Sequence, residues 1–254
     1  MAAPEVLVHP GASLLASATA ARLVTRLVDV TAARRSASLV LTGGTIGIQV
    51  LAAVAAEPAR AAVDWRRVDI WWGDEAFRPA GDAARVETQA RAALLDHVGV
   101  SQDRVHPMPS SDGPDGDDPQ AAADRYAAEL RAAAGQSGPG DVPAFDVLLL
   151  GIGPDAHIAS LFPGLPAVSE RRRAVVGVTG SPKPPPRRIS LTLPAITTAR
   201  EVWVVAAGAD QAEAVRLAQT EADPVQVPAA GARGRERTLF LLDREAAGGL
   251  QAAG

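Results

Sequence analysis

The stretch FDVLLLGIGPDAHIASLFPG, residues 145–164, decides the fold of this chain. An apolar run leads into a turn that contains Gly151 and Gly153, followed by Asp155 and His157. Short apolar runs bounded by glycine are typical of a strand buried on both faces. In parallel sheets, ligands bind beyond the carboxyl ends of the strands. The stretch therefore predicts a parallel sheet and places a candidate active site at its edge.

Apolar runs and helical patterns alternate along the rest of the chain. Strands are predicted at residues 5–9, 37–44, 67–75, 104–108, 145–151, 174–178, 188–192, 201–208 and 237–243. Helices are predicted from the first strand to about residue 34, at 45–57, 82–98, 118–134 and 209–219, and in a short tail. Residues 110–120 and 135–143 are predicted to be loops. This alternation predicts an α/β fold, with a mainly parallel sheet and helices on both faces, in a single domain of residues 1–254.

The composition excludes several classes of function. The 254 residues include no cysteine, so disulfides, thiol nucleophiles and cysteine metal sites are impossible. The net charge is −4 and no stretch is strongly basic, which argues against nucleic acid or an anionic membrane as partner. We expect no signal peptide and no membrane span, and hence a soluble, cytoplasmic protein.

Two segments offer groups that can bind an anion. In LTGGTIG, residues 41–47, Gly43 and Gly44 stand between a strand and a helix, and Thr45 adds a hydroxyl. Free N–H groups at a helix start favour phosphate, although an ordinary strand–helix turn explains the motif equally well. In SPKPPPRRISLT, residues 181–192, a proline-rich segment brings Lys183 and Arg188 to a strand end, as a phosphate clamp or as a solvated patch.

The segment WWGDEAFRP, residues 71–79, places Asp74 and Glu75 at a strand end. Carboxylates there can orient water, a sugar hydroxyl or a histidine. A helix cap or a solvated turn is the alternative. Arg78 serves either a substrate phosphate or only the surface.

The sharpest signal is GIGPDAH, residues 151–157. An imidazole titrates near neutral pH, so His157 suits proton transfer, and Asp155 can hold a ring nitrogen or a backbone amide. The glycine turn at a strand end distinguishes this histidine from the other three. We predict structural roles for His9, His97 and His106.

These motifs together resemble the 6-phosphogluconolactonase family. The resemblance rests on LTGGT, WWGDE, GIGPDAHIASLFPG, SPKPPPRRISLTLPAI and VPAAGARGRERTLFLLD, in order over nearly the whole chain. It implies a Rossmann-like sheet in the fold group of glucosamine-6-phosphate deaminase. It also implies hydrolysis of 6-phospho-D-glucono-1,5-lactone in the oxidative pentose phosphate pathway, without metal or cofactor.

The resemblance also implies roles for individual residues. It makes His157 the general acid/base, Asp155 the residue that shapes its loop, and Asp74 the residue that orients the catalytic site. It gives phosphate binding to Gly43, Gly44, Thr45 and Arg188. The remaining residues expected to bind substrate are Glu75, Arg78, Gly153 and Lys183.

The chain departs from the family pattern at four positions. Arginine, asparagine, glycine and lysine are expected where the sequence has Ala76, Val86, Ala156 and Gln211. Arg78 or Arg85 could replace the missing arginine. Two alternatives to an active lactonase therefore stay open: a weakened homologue that binds sugar phosphates, and an isomerase or deaminase acting on an amino sugar phosphate.

Overall fold

The structure is a computed structural model that describes residues 3–135 and 140–250. Within these residues the strands are β1 (Glu5–His9), β2 (Ala37–Leu41), β3 (Val68–Trp72), β4 (Asp74–Ala76), β5 (Val147–Gly151), β6 (Val175–Val178), β7 (Arg188–Leu191), β8 (Glu201–Ala206) and β9 (Arg237–Asp243). The α-helices are α1 (Ala12–Ala33), α2 (Gly44–Ala56), α3 (Val86–Ala93), α4 (Pro119–Ala134), α5 (Leu193–Ile196) and α6 (Ala212–Ala218).

The larger sheet confirms the predicted fold class. Its strand order is β1-β9-β8-β5-β2-β3, and each neighbouring pair is parallel. Every residue of β2 and of β8 is buried. Because successive residues of a strand point to opposite faces, the sheet is covered on both sides at these two strands.

The strand order places a topological switch point between β2 and β5. From β2 the chain continues to β3 on one side, and it then returns to place β5 on the other side of β2. The loops after β2 and β5 therefore diverge at this point. We call residues 43–45 the anion loop and residues 151–157 the histidine loop. They lie where open α/β sheets bind their ligands.

A second, antiparallel sheet of order β4-β7-β6 was not predicted. The predicted strand 67–75 breaks at Gly73, whose N–H donates to Leu41 of β2 at 3.0 Å and whose carbonyl accepts from Leu191 of β7 at 2.9 Å. The chain thus leaves one sheet and enters the other at this glycine. The predicted strands 174–178 and 188–192 lie in this smaller sheet as β6 and β7, outside the parallel one.

Other predicted elements are shorter than expected. The helix predicted at 82–98 is α3 followed by a 3-10 turn, and the one predicted at 209–219 is a 3-10 turn followed by α6. The strand predicted at 104–108 is one bridge between Val105 and Ile70, and the N–H of Trp72, where the pairing would continue, donates instead to the hydroxyl of Tyr126. Residues 244–250 form turns instead of a helical tail. Part of the predicted loop at 135–143 lies outside the described residues.

The helices are fixed to the sheets by buried side chains. Helix α1 buries Leu15, Leu23 and Leu27 completely. Tyr126 of α4 is also fully buried, and its hydroxyl accepts a hydrogen bond of 3.0 Å from the backbone N–H of Trp72 at the end of β3. Among the described residues, no helix combines the length and apolar character needed to span a membrane.

Candidate active site

Loops that follow three neighbouring strands meet at one edge of the parallel sheet. Thr42, directly before the anion loop, accepts a hydrogen bond at Oγ1 from the backbone N–H of Gly151, at 3.1 Å. The N–H of Gly73, at the end of β3, is bound to the carbonyl at the end of β2. Hydrogen bonds therefore connect the starts of the anion loop, the histidine loop and strand β4.

Hydrogen bonds within the histidine loop fix the ring of His157. Oδ1 of Asp155 accepts from the backbone N–H of His157 at 3.2 Å and lies 2.5 Å from its Nδ1. The carbonyl of His157 accepts from the N–H of Gly153 at 2.9 Å. The imidazole packs on Phe162 with ring centroids 4.5 Å apart, and the side chain is 12% exposed. Because the carboxylate holds Nδ1, Nε2 is the nitrogen left for proton transfer.

Two alanines near this histidine, one before it and one two residues after it, have strained backbones. Ala156 has φ = +64° and Ala159 has φ = +49°. An L-residue in this left-handed region costs about 1 kcal/mol relative to glycine. Neighbouring contacts hold the loop in place, among them a 2.9 Å hydrogen bond from the N–H of Ala156 to the carbonyl of Gly153. Strain of this kind is typical of functional sites.

A buried cluster of Asp74, Ser160 and Arg188 connects the histidine loop to the second sheet. Nη2 of Arg188 donates to Oδ2 of Asp74 at 3.0 Å, and the hydroxyl of Ser160 donates to the same oxygen at 2.7 Å. Nε of Arg188 donates to Oγ of Ser160 at 2.5 Å. The sequence pattern did not single out Ser160. The available signal was its place three residues after the histidine.

The anion loop has the geometry of a helix N-terminus. Gly43 is the N-cap of α2, and Gly44 has φ = +79°, which favours glycine. Gly44 and Thr45 are exposed, and the first turn of α2 contains no acidic residue. The N–H groups and the helix dipole here favour an anion, and no carboxylate of the first turn competes with it.

Glu75 is placed differently from Asp74. It is 0% exposed, and its carboxylate accepts three backbone N–H groups: Ala76 at 2.8 Å, Val86 at 2.6 Å and Glu87 at 2.9 Å. Burial raises the pKa of Glu75 to about 7, against the opposing effects of Arg85 and these donors. The prediction that Glu75 binds substrate stays untested, but its oxygens are occupied in capping the start of α3, the alternative raised from the sequence.

The other cationic side chains that the sequence suggested differ in their exposure to solvent. Arg78 is exposed and pairs with Asp82, with 3.0 Å between Nε and Oδ2. Lys183 is exposed, and its backbone N–H donates to Oγ of Ser181 at 3.2 Å. Arg85 is buried, and its Nη2 donates to the carbonyl of Met108 at 2.7 Å. The buried interactions of Arg85 leave Arg78 as the more accessible substitute for a missing arginine.

The sequence profile described as "Glucosamine-6-phosphate isomerases/6-phosphogluconolactonase" matches residues 10–241. The chain belongs to this family.

Individual relatives agree with the assignment to the glucosamine-6-phosphate isomerase/6-phosphogluconolactonase family. The chain is 59% identical over 244 residues to a 6-phosphogluconolactonase of Streptomyces coelicolor, covering 96% of this chain and 94% of that protein. It is 50% identical over 244 residues to a 6-phosphogluconolactonase of Mycobacterium tuberculosis, covering 96% of this chain and 97% of that one. The solved 6-phosphogluconolactonase of Trypanosoma brucei superposes with a TM-score of 0.81 at 30% identity, covering 98% and 99% of the two chains.

The departures from the family pattern have structural counterparts. Ala76 is 1% exposed and stands opposite Arg188 in the β4–β7 ladder. Val86 packs against the anion loop so closely that a β-carbon on Gly43 would lie 2.6 Å from its Cγ2. The amide of Gln211 turns towards the carbonyls before it in the chain. This member of the family therefore has methyl groups at two positions where the pattern expects hydrogen-bonding side chains.

Proposed function

We propose that this chain hydrolyses 6-phospho-D-glucono-1,5-lactone to 6-phosphogluconate. The observation that supports this most strongly is the imidazole of His157, which Asp155 holds at the same sheet edge as the anion loop. The names of the relatives from S. coelicolor and M. tuberculosis support the same substrate.

The proposed reaction needs one histidine and one water molecule. Nε2 of His157 accepts a proton from water while the water oxygen bonds to the carbonyl carbon of the lactone. The bond between that carbon and the ring oxygen then breaks, and the ring oxygen takes the proton from the imidazolium. The net change is addition of water across the ester bond, and the histidine is returned to its neutral form.

The phosphate of the substrate is proposed to bind at the anion loop. The exposed start of α2 offers backbone N–H groups and the positive end of the helix dipole. Arg188 adds a buried positive charge next to the histidine loop, through its contact with Ser160. Two fixed ends of the site, one for phosphate and one for proton transfer, orient a six-carbon lactone between them.

A direct assay tests this function. Disappearance of the phosphorylated lactone is followed spectroscopically on purified protein and corrected for spontaneous opening, with unphosphorylated gluconolactone as the matched substrate. We expect turnover of the phosphorylated lactone well above the blank, and at least about tenfold slower turnover without the phosphate. A rate equal to the blank would contradict the proposal.

A second candidate function is binding of a sugar phosphate without efficient catalysis. It is favoured by the buried methyl groups of Ala76 and Val86, and by the interactions that hold Arg85 in place. Calorimetry with 6-phosphogluconate alongside the lactone assay separates the two. Binding without turnover would support the second function.

A further inference from the structure

Ser160 joins the histidine loop to the ion pair of Asp74 and Arg188. It follows His157 by three residues and is 0% exposed. Its backbone N–H donates to Oγ of Ser190 on β7 at 3.1 Å. Both its backbone and its side chain are therefore bound to the second sheet.

The hydroxyl of Ser160 completes a closed set of three hydrogen bonds. It donates to Oδ2 of Asp74 at 2.7 Å and accepts from Nε of Arg188 at 2.5 Å, while Nη2 of Arg188 donates to the same Oδ2 at 3.0 Å. A guanidinium often pairs with both oxygens of one carboxylate. Here the serine oxygen takes the place of the second carboxylate oxygen. The orientation of Arg188 therefore depends on a residue three positions after His157.

The chain between His157 and Ser160 has little freedom to move. The N–H of Leu161 donates to the carbonyl of Ile158 at 2.9 Å and closes a tight turn. Ala159, inside this turn, has the left-handed φ of +49°. The turn therefore connects Ser160 tightly to Ile158, the residue that follows His157.

We propose that Ser160 is a positioning residue, which fixes the ring of His157 relative to the ion pair of Asp74 and Arg188. The inference rests on the proposed function, because it names what sets the geometry of that site. Ser160 is fully buried, so it acts through its neighbours and not by touching substrate. Its hydroxyl is the group that ties the loop after β5 to strands β4 and β7.

Removal of the hydroxyl gives the first test. In Ser160→Ala, Nε of Arg188 loses its acceptor in a buried site and the loop is no longer tied to Asp74. We expect kcat to fall at least about tenfold while KM changes less than about threefold. The matched control is Thr238→Val, which removes another buried hydroxyl, one that accepts the N–H of Gly234 at 2.9 Å. A kcat for Ser160→Ala equal to that of the control would overturn the proposal.

A double-mutant cycle separates positioning from general loss of stability. Arg188→Lys removes the Nε that donates to Ser160, so the link through which Ser160 is proposed to fix the His157 ring is already broken in this variant. We expect Ser160→Ala to lower kcat by less than about threefold in the Arg188→Lys background. An equal fall in kcat from Ser160→Ala in both backgrounds would show that Ser160 does not act through Arg188, and would overturn the proposal.

Nuclear magnetic resonance of the free protein tests the positioning without turnover. The ring nitrogens of His157 are observed in wild type, Ser160→Ala and Arg188→Lys, and the last variant breaks the same hydrogen bond from its other side. We expect both variants to shift the resonances of the His157 ring and to leave those of His97 unchanged. Unchanged His157 resonances in folded variants would overturn the positioning role. Absence of turnover in wild type would contradict only the proposed function.

Discussion

The imidazole of His157 occupies the space that a side chain on Gly153 would need. A β-carbon built on Gly153 would lie 2.1 Å from Nδ1 of the ring, and 2.7 Å from Oδ1 of Asp155. No pair of non-bonded atoms tolerates such a distance, so any side chain at position 153 must displace the ring or the loop. The absence of a side chain at position 153 therefore allows His157 and Asp155 to pair in this arrangement.

Gly153→Ala should accordingly disable the site. We expect kcat/KM for the phosphorylated lactone to fall by about 100-fold or more, because the imidazole no longer reaches its productive position. Steady-state kinetics measure this. Gly99→Ala is the control, because a β-carbon on this glycine meets nothing within 4 Å. Equal activity of the two variants would show that the ring adapts freely to the extra methyl group.

Ala156→Gly should stabilise the protein. The φ of +64° at Ala156 strains an alanine and not a glycine, so we expect the free energy of unfolding to rise by about 0.5–1 kcal/mol. Urea unfolding measures the change. The control, Ala128→Gly on the exposed face of α4, should instead lose about 1 kcal/mol. A loss at position 156 similar to that at position 128 would argue against strain in the loop.

Glu75 should make stability fall as pH rises. Burial raises its pKa to about 7 from the ordinary 4.5, so the folded chain holds this proton more tightly than the unfolded chain does. The contribution of Glu75 is therefore greatest below pH 4.5 and declines as pH rises to about 7. A shift of this size corresponds to about 3 kcal/mol between the two limits.

Urea unfolding of wild type and Glu75→Gln between pH 5 and 8 measures this dependence. The glutamine does not titrate. The fall in unfolding free energy from pH 5 to pH 8 should therefore be smaller for the variant than for wild type, with a difference of up to about 3 kcal/mol. Glu213→Gln on α6, where the acid is exposed and pairs with Arg216, should keep the wild-type slope. Parallel curves for wild type and Glu75→Gln would contradict the raised pKa.

Restoring the family pattern at two positions should raise activity. Arg85 is held by buried interactions, and Arg78 would have to leave Asp82 to reach a substrate, while Ala76 and Val86 themselves offer no hydrogen-bonding side chain. We expect the double variant Ala76→Arg and Val86→Asn to raise kcat/KM by about tenfold or more. Kinetics of Ala84→Arg, which adds a charge at an exposed neighbouring position, provide the control. No gain over this control would mean that other groups already serve the substrate.

The central strands of the main sheet were predictable because they are buried. Apolar runs such as 145–151 are the direct consequence of a strand covered on both faces, and the structure confirms them. The second sheet was not predictable from local sequence. Gly73 ends one strand and starts another because its two backbone groups bind strands β2 and β7, which are distant in the sequence.

The candidate site likewise combines a local contact, which the sequence suggested, with contacts between distant residues, which it did not. The pairing of Asp155 with His157 is local, two residues apart, and the sequence suggested it. The role of Ser160 depends on Asp74 and Arg188, which lie 86 and 28 residues away in the chain. A serine in a turn carries no sign of such partners, so it was missed.

The ring of His157 is proposed to move the proton in lactone hydrolysis. The most direct measurement is the rate of lactone disappearance, corrected for spontaneous opening, for wild type and His157→Ala. A far-ultraviolet circular dichroism spectrum confirms that both are folded. We predict that the substitution lowers kcat by at least about 100-fold. An unchanged kcat in a folded His157→Ala protein would contradict the account.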